Sequence, residues 1–162
     1  MSQVLVKLTN RLTSNQKKFV AEVIGTFIVV VFATGSVVVD SKLHGALGIS
    51  FIAFAPFVGI AVCVYMFGKI SMAHFNPAVT LGFLITKHIT KNQLLYYISA
   101  EIIGALLGSL FVKYLIGSNT NLGANAPNYS YAMPVIFGIE VLASALPMAV
   151  ILFVVYTRGL VE

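Results

Sequence analysis

Four stretches of this chain stay apolar for long enough to cross a bilayer: about 19–39, 45–68, 93–116 and 132–156. A spanning helix needs roughly 20 such residues. Each run stops at polar or turn-forming residues, such as Asp40-Ser41-Lys42 or the stretch from Gly117 to Ser130. Lys17 and Lys18 precede the first run, as they would a signal peptide. The run is too long for an h-region and no small-x-small cleavage site follows, so it reads as an uncleaved span. Residues 1–18 set Val4, Leu5, Leu8 and Leu12 among Lys7 and Arg11. That weak stripe reads as a solvated N-terminal segment, with a short interfacial helix as the alternative.

One apolar stretch fits none of these spans. From Pro77 to Lys87 is 11 residues, or about 16 Å of helix, roughly half the ~30 Å hydrocarbon core. The segment is too short to cross and too apolar for a water-exposed loop. A re-entrant segment meets both conditions: extended chain enters through 70–75 and a half-helix returns through 77–87. Asn76 stands where an N-cap belongs and Pro77 at the first helical position. A surface-lying amphipathic helix is the alternative, but Val79, Leu81, Phe83, Leu84 and Ile85 spread around the helix without forming one stripe. Irregular backbone at membrane depth is tolerated only where protein buries it or it lines a watery cavity.

Composition strengthens the membrane reading. Of 162 residues, 59% are hydrophobic and 9% charged, whereas soluble domains carry about 25% charged residues. That excludes an ordinary cytosolic enzyme, a disordered tail and a nucleic-acid binder. The single cysteine, Cys63, excludes an internal disulfide framework and reads as a buried thiol. With four crossings both termini share a side. Lys7, Arg11, Lys17, Lys18, Lys69, Lys87, Lys91 and Arg158 then fall on one face, against Lys42 and Lys113 on the other. Positive-inside bias puts the eight, and both ends of the chain, in the cytoplasm of a multi-pass protein of the cell membrane.

The chain also repeats itself. Glu22-Val23-Ile24-Gly25-Thr26 opens the first span, and Glu140-Val141-Leu142-Ala143-Ser144 lies in the fourth, 118 residues later. The copies enter the membrane from opposite sides, as in inverted repeats that meet at a midplane site. The organisation read from this is a first three-helix repeat over 19–131, the first helix of a second repeat over 132–157, and a truncated cytoplasmic end at 158–162. A second Asn-Pro-Ala would fall near position 194.

His74-Phe75-Asn76-Pro77-Ala78-Val79-Thr80-Leu81-Gly82, after Gly68-Lys69-Ile70-Ser71, resembles the first signature loop of the aquaporin and glycerol-facilitator (major intrinsic protein) family. Ala21 to Phe27 resembles that family's first span, and Glu140 lies in the counterpart of its fourth. The likeness covers about 19–157. It implies an all-α membrane fold, an aquaporin-like inverted-repeat bundle of six spans and two half-helices, of which this sequence supplies four spans and one half-helix. It further implies a passive channel, assembled as a homotetramer in the lipid bilayer, for water or small neutral solutes such as glycerol, ammonia or carbon dioxide. No catalysis, cofactor or metal is implied.

A half-helix aimed at the midplane places about half a positive charge there, with unpaired N–H groups. By the resemblance, Asn76 donates its side-chain amide to passing solute, with Pro77 and Ala78 completing the motif. Carbonyls around Ala73, His74 and Phe75 form an acceptor ladder, and His74 lines the cytoplasmic half of the pore. Glu22 and Glu140 each support a re-entrant loop. Glu101 stands where the family usually has Gln, so its role stays open between loop support and a proton relay. An ungapped match puts Pro56 at a constriction that is usually aromatic, with Phe57 next door. Ala100, Gly104 and Gly108 form a small-x-x-x-small ladder for close helix packing. His44 and His88 read as solvated loop residues.

Two other functions compete with the channel. Secondary transporters also break helices at the midplane, and there Glu101 would respond to a proton or sodium gradient. A non-conducting helical fragment would pack through Gly104 and Gly108 without flux. The 8-to-2 basic bias opposes two antiparallel copies, so the expectation is that this chain alone makes no normal pore and needs a second half.

Overall fold

The computed structural model describes residues 12–157. Lys7, Arg11, Arg158 and the 158–162 end lie outside the described residues, as does most of the 1–18 segment. Within them the chain is helical throughout, without a strand: α1 (Ser14–Lys42), α2 (Gly48–Ser71), α3 (Pro77–Ile85), α4 (Lys91–Phe111) and α5 (Met133–Thr157). Four of these are long and apolar enough to cross a membrane; α4 does so together with the π-helical turn Val112–Ile116 that extends it. The protein is therefore a multi-pass membrane protein.

The starts of α1 and α4 are fixed by side-chain chemistry. Thr13 and Gln16 form a reciprocal capping box at α1, and Thr90 and Gln93 form another at α4. These Thr-x-x-Gln signals satisfy the first N–H groups of each helix, and the first sets α1 five residues ahead of the apolar run. At the far end Asp40 lies inside α1 instead of ending it. Its Oδ1 accepts the N–H groups of Leu47 and Gly48 at 2.9 and 2.8 Å, so α1 caps the helix that follows it. Lys42 donates to the Ile116 carbonyl at the end of the π-helical turn, supplying the acceptor-rich terminus with a cation.

Helices α1 and α4 pack side by side along the small-residue ladder. A Cβ on Gly104 would sit 2.9 Å from Thr26 Cβ, and one on Gly108 would sit 3.0 Å from the Phe27 carbonyl oxygen. Ala100 is wholly buried in the same seam. Apolar contact with lipid gives no reason for helices to associate, so close backbone approach through small residues supplies the attraction. At the opposite end of the bundle from the capping boxes, a left-handed turn at Thr120, Asn121 and Leu122 folds back on α1, where Gly123 (φ 67°) meets the Thr34 backbone.

The short helix runs Pro77–Ile85, two residues less than the sequence suggests at its end. Thr86 closes it by donating to the Gly82 carbonyl at 2.9 Å, and Lys87 follows at φ 63°. Phe83, in its last turn, is fully buried, with Ile89 and Val155 in the same cluster. Helix α5 is held by few contacts and leaves most of its surface open.

Candidate functional site

The N-terminus of α3 is built by Asn76. Its backbone is extended (φ −156°, ψ 125°), and its Oδ1 accepts the Ala78 N–H at 2.8 Å. Pro77, which has no N–H to leave unpaired, occupies the first helical position. The cap also decides the direction of the amide. With Oδ1 committed to Ala78, Nδ2 is turned away from the helix, and Asn76 is exposed. Its two N–H donors therefore stand at the positive end of the half-helix dipole.

The chain entering this cap is strained. Met72, Ala73 and Phe75 have φ of 67°, 53° and 51°, a region that L-residues other than Asn and Asp seldom visit. Such conformations persist when their surroundings over-determine them, and here Glu22 does so from α1. Its Oε1 accepts Ser71 Oγ at 2.5 Å and the His74 N–H at 3.1 Å, and its Oε2 accepts the Phe75 N–H at 2.7 Å. Ser71 Oγ in turn accepts the Ala73 N–H at 3.2 Å, and Tyr97 donates to the Ser71 carbonyl at 2.8 Å. A fully buried carboxylate thus has its lone pairs matched to donors, as burial requires.

Behind the loop lies a second chain of hydrogen bonds. His74 Nδ1 is 2.8 Å from Thr80 Oγ1, which donates to Glu101 Oε1 at 2.5 Å. Glu101 and Thr80 are buried, and the link ties α4 to the first turn of α3. The His74 ring is stacked between Phe83 and Tyr97, with centroids 4.4 and 4.1 Å away. This corrects the expectation that His74 lines a pore: the imidazole is only 2% exposed, because its faces fill the gap between α3 and α4. The Phe75 ring is buried too, on α1 at Gly25, where any Cβ would run into it. What this segment can present to a solute is its backbone and Asn76.

His88 is not a free loop residue either. It bonds Thr86 Oγ1 at 2.8 Å and sets its ring against the edges of Phe83 and Tyr156. Cys63 is buried, with Sγ 3.8 Å from the Gly25 carbonyl oxygen. Ser71, Thr80 and Tyr97 do work at this site that sequence reasoning left unassigned. Their signal was available in part: Tyr97, Glu101, Gly104 and Gly108 recur at helical spacing on one buried face of α4.

The other expected residues do not join this cluster. Pro56 and Phe57 lie inside α2, 15 and 14 residues before Ser71, which is about 22 Å along the axis. Phe57 is exposed and tilted against Phe54. Glu140 is exposed on α5 and hydrogen-bonds nothing among the described residues. Near it, α5 faces the half-helix across a cavity of about 140 Å³, lined by Asn76, Ala78, Val79, Ala143, Ser144, Pro147 and Met148. Gly82 admits Met148 beside this cavity; a Cβ there would sit 2.7 Å from its sulfur. Ala143 and Ser144 stand 118 residues after Gly25 and Thr26, the segment of α1 on which Phe75 rests.

The family model described as major intrinsic protein matches residues 9–159. The chain is 38% identical over 141 residues to glycerol uptake facilitator protein-like 6 of Lactiplantibacillus plantarum, covering 84% of this chain and 62% of that one. It is 36% identical over 132 residues to probable aquaporin AqpM of Archaeoglobus fulgidus, covering 68% and 54%. Nodulin-26 of Glycine max is 32% identical over 113 residues, covering 69% and 42%. The chain thus spans about half the length of these relatives. The short helix with its Asn76 cap and the match along nearly the whole chain lead to one assignment: this chain belongs to the major intrinsic protein family.

Proposed function

We propose that this chain forms one wall of a transmembrane channel for water or small neutral solutes, and that the amide of Asn76 is the donor its solute meets. The observation that carries this reading is the cap: Oδ1 is held by Ala78, so Nδ2 points outward at an exposed position. A neutral solute offers its oxygen to that amide, while the positive end of α3 repels cations. The strained backbone at Ala73 and Phe75 carries carbonyls along the same approach, held in place by Glu22. The names of the relatives, one a glycerol uptake facilitator and one a probable aquaporin, fit a neutral solute of either size.

In this reading the open face of α5 receives a second half-helix. Its strained loop would rest on Ala143 as Phe75 rests on Gly25, with Glu140 in the part that Glu22 plays. The cavity between Asn76 and Ser144 is where the two half-helices would meet. The assembly would be a homotetramer in the cell membrane, with the ends of α1 and α5 that carry Lys17, Lys18 and Thr157 on the cytoplasmic side. Stopped-flow light scattering tests this, on vesicles holding the chain alone and the chain joined to the second half of the Lactiplantibacillus relative. Shrinkage of the joined form faster than empty vesicles supports the channel. Inserted, helical protein that gives no flux in either form contradicts it.

A further inference from the structure

A second cavity shares no lining residue with the one at Asn76. It is an open groove of about 280 Å³ between α1 and α4, lined by Leu12, Gln16, Phe19, Val20 and Tyr96. Phe19 and Tyr96 form its floor as an edge-to-face pair with centroids 5.4 Å apart. Both helices begin at this end of the bundle, so the groove opens where chain leaves the hydrocarbon for water. Its surroundings are of one sign. Residues 12–21 contain Lys17 and Lys18, residues 86–100 contain Lys87 and Lys91, and neither stretch has an Asp or Glu. Among the described residues, the carboxylates closest in sequence to these stretches, Glu22 and Glu101, are buried and committed to Ser71, His74, Phe75 and Thr80.

We propose that this groove holds a single anionic phospholipid, with an acyl chain against Phe19, Val20 and Tyr96 and its phosphate among Lys17, Lys91 and Asn92. A neutral lipid would gain the apolar contact but not the charge pairing. Lysine stems can lie along the groove wall while their ammonium groups stay at headgroup depth. Each basic residue close to an anionic surface strengthens binding about fivefold. Asn92 lies one turn before Tyr96 on the same face of α4 and is exposed, so its amide can donate to a phosphate oxygen. The site rests on the membrane-spanning fold alone and needs no conduction through the half-helix.

The chain has no tryptophan, which makes the test direct. Tyr96→Trp puts a single fluorophore in the groove, and Ile70→Trp puts one at the same end of α2, beside Lys69 but outside the groove. Each is reconstituted into phosphatidylcholine vesicles in which brominated phosphatidylglycerol or brominated phosphatidylcholine is titrated. At position 96 the anionic quencher should act at a mole fraction roughly fivefold or more below the zwitterionic one. Position 70 should show a clearly smaller preference, and Lys17→Gln with Lys91→Gln should abolish the preference at 96. Phe19→Trp repeats the measurement if Tyr96→Trp does not fold. Equal preference at 96 and 70, a preference that survives loss of both lysines, or poor quenching by both lipids at 96 because protein covers the groove would each overturn the proposal.

Discussion

Glu22 takes the backbone N–H of Phe75 at 2.7 Å, and one turn further along the same helix Gly25 seats the Phe75 ring. A carboxylate and an absent side chain, three residues apart, together hold a segment whose backbone would not choose its own conformation. The half-helix is aimed by α1, an element more than 30 residues away in sequence.

Removing that carboxylate should release the loop. Glu22→Ala leaves the His74 and Phe75 N–H groups without an acceptor, at about 1–3 kcal/mol for each. Hydrogen exchange of these two amides should accelerate by on the order of a hundredfold, while amides in the middle of α4 change little. Unchanged exchange at both would show that the loop is held by something else.

The Gly25–Phe75 contact predicts a coupled pair. Gly25→Ala should cost about 1–3 kcal/mol by overpacking, and Phe75→Ala about 3 kcal/mol or more through a cavity. Because the methyl of one occupies the space vacated by the other, the double variant should cost at least about 1 kcal/mol less than the sum. Equilibrium unfolding in mixed micelles gives all three values, and simple additivity would refute the contact.

Glycines in this bundle are unequal. Gly104→Leu must push α1 away from α4, because Thr26 and the Val23 carbonyl lie against it; it should prevent folding or lower the melting temperature by ten degrees or more, on the order of 3 kcal/mol. At Gly68 a Cβ would meet nothing within 4 Å, so Gly68→Leu opens into free space and should stay within about 0.5 kcal/mol of the parent. Equal losses would mean that the seam is not where small residues matter.

Glu101 separates acceptor from bulk. Glu101→Gln keeps an oxygen for the Thr80 hydroxyl and should melt close to the parent. Glu101→Leu keeps the volume but leaves Thr80 and, through it, His74 without their anchor, a loss of about 1–3 kcal/mol. Faster exchange across Ala78–Gly82 in the Leu variant alone would place Glu101 among the residues that position the half-helix. The same behaviour in both variants would contradict that.

The two scales of this molecule were unequally legible in its sequence. Spans, half-helix and cap follow from apolar run lengths and from Asn76-Pro77, because bilayer thickness and N-cap chemistry act on contiguous residues. Gly104 and Gly108 announced a close seam, though not that α1 lies in it. The loop's support was only partly legible: Glu22 stood out as an acid in an apolar run, whereas Ser71, Thr80 and Tyr97 are ordinary residue types whose roles depend on what the fold brings beside them. His74 was misplaced because a histidine inside a signature loop suggests a lumen, while stacking between Phe83 and Tyr97 is invisible until α3 and α4 are packed. Pro56 follows from counting residues along an ungapped match, and the fold adds only that it lies inside α2, 15 residues before Ser71.

The most direct test of the half-helix as a solute-lining end uses Asn76→Asp. Aspartate is as good an N-cap as asparagine, so Ala78 keeps its acceptor and α3 its start. The outward Nδ2 donors are lost and a negative charge replaces them. In the chain joined to a relative's second half, osmotic flux of water or glycerol should fall by about tenfold, the effect of one lost hydrogen bond of ~1.4 kcal/mol, with melting temperature and helicity unchanged. Flux equal to the parent in a variant that folds as the parent does would show that solute does not meet Asn76.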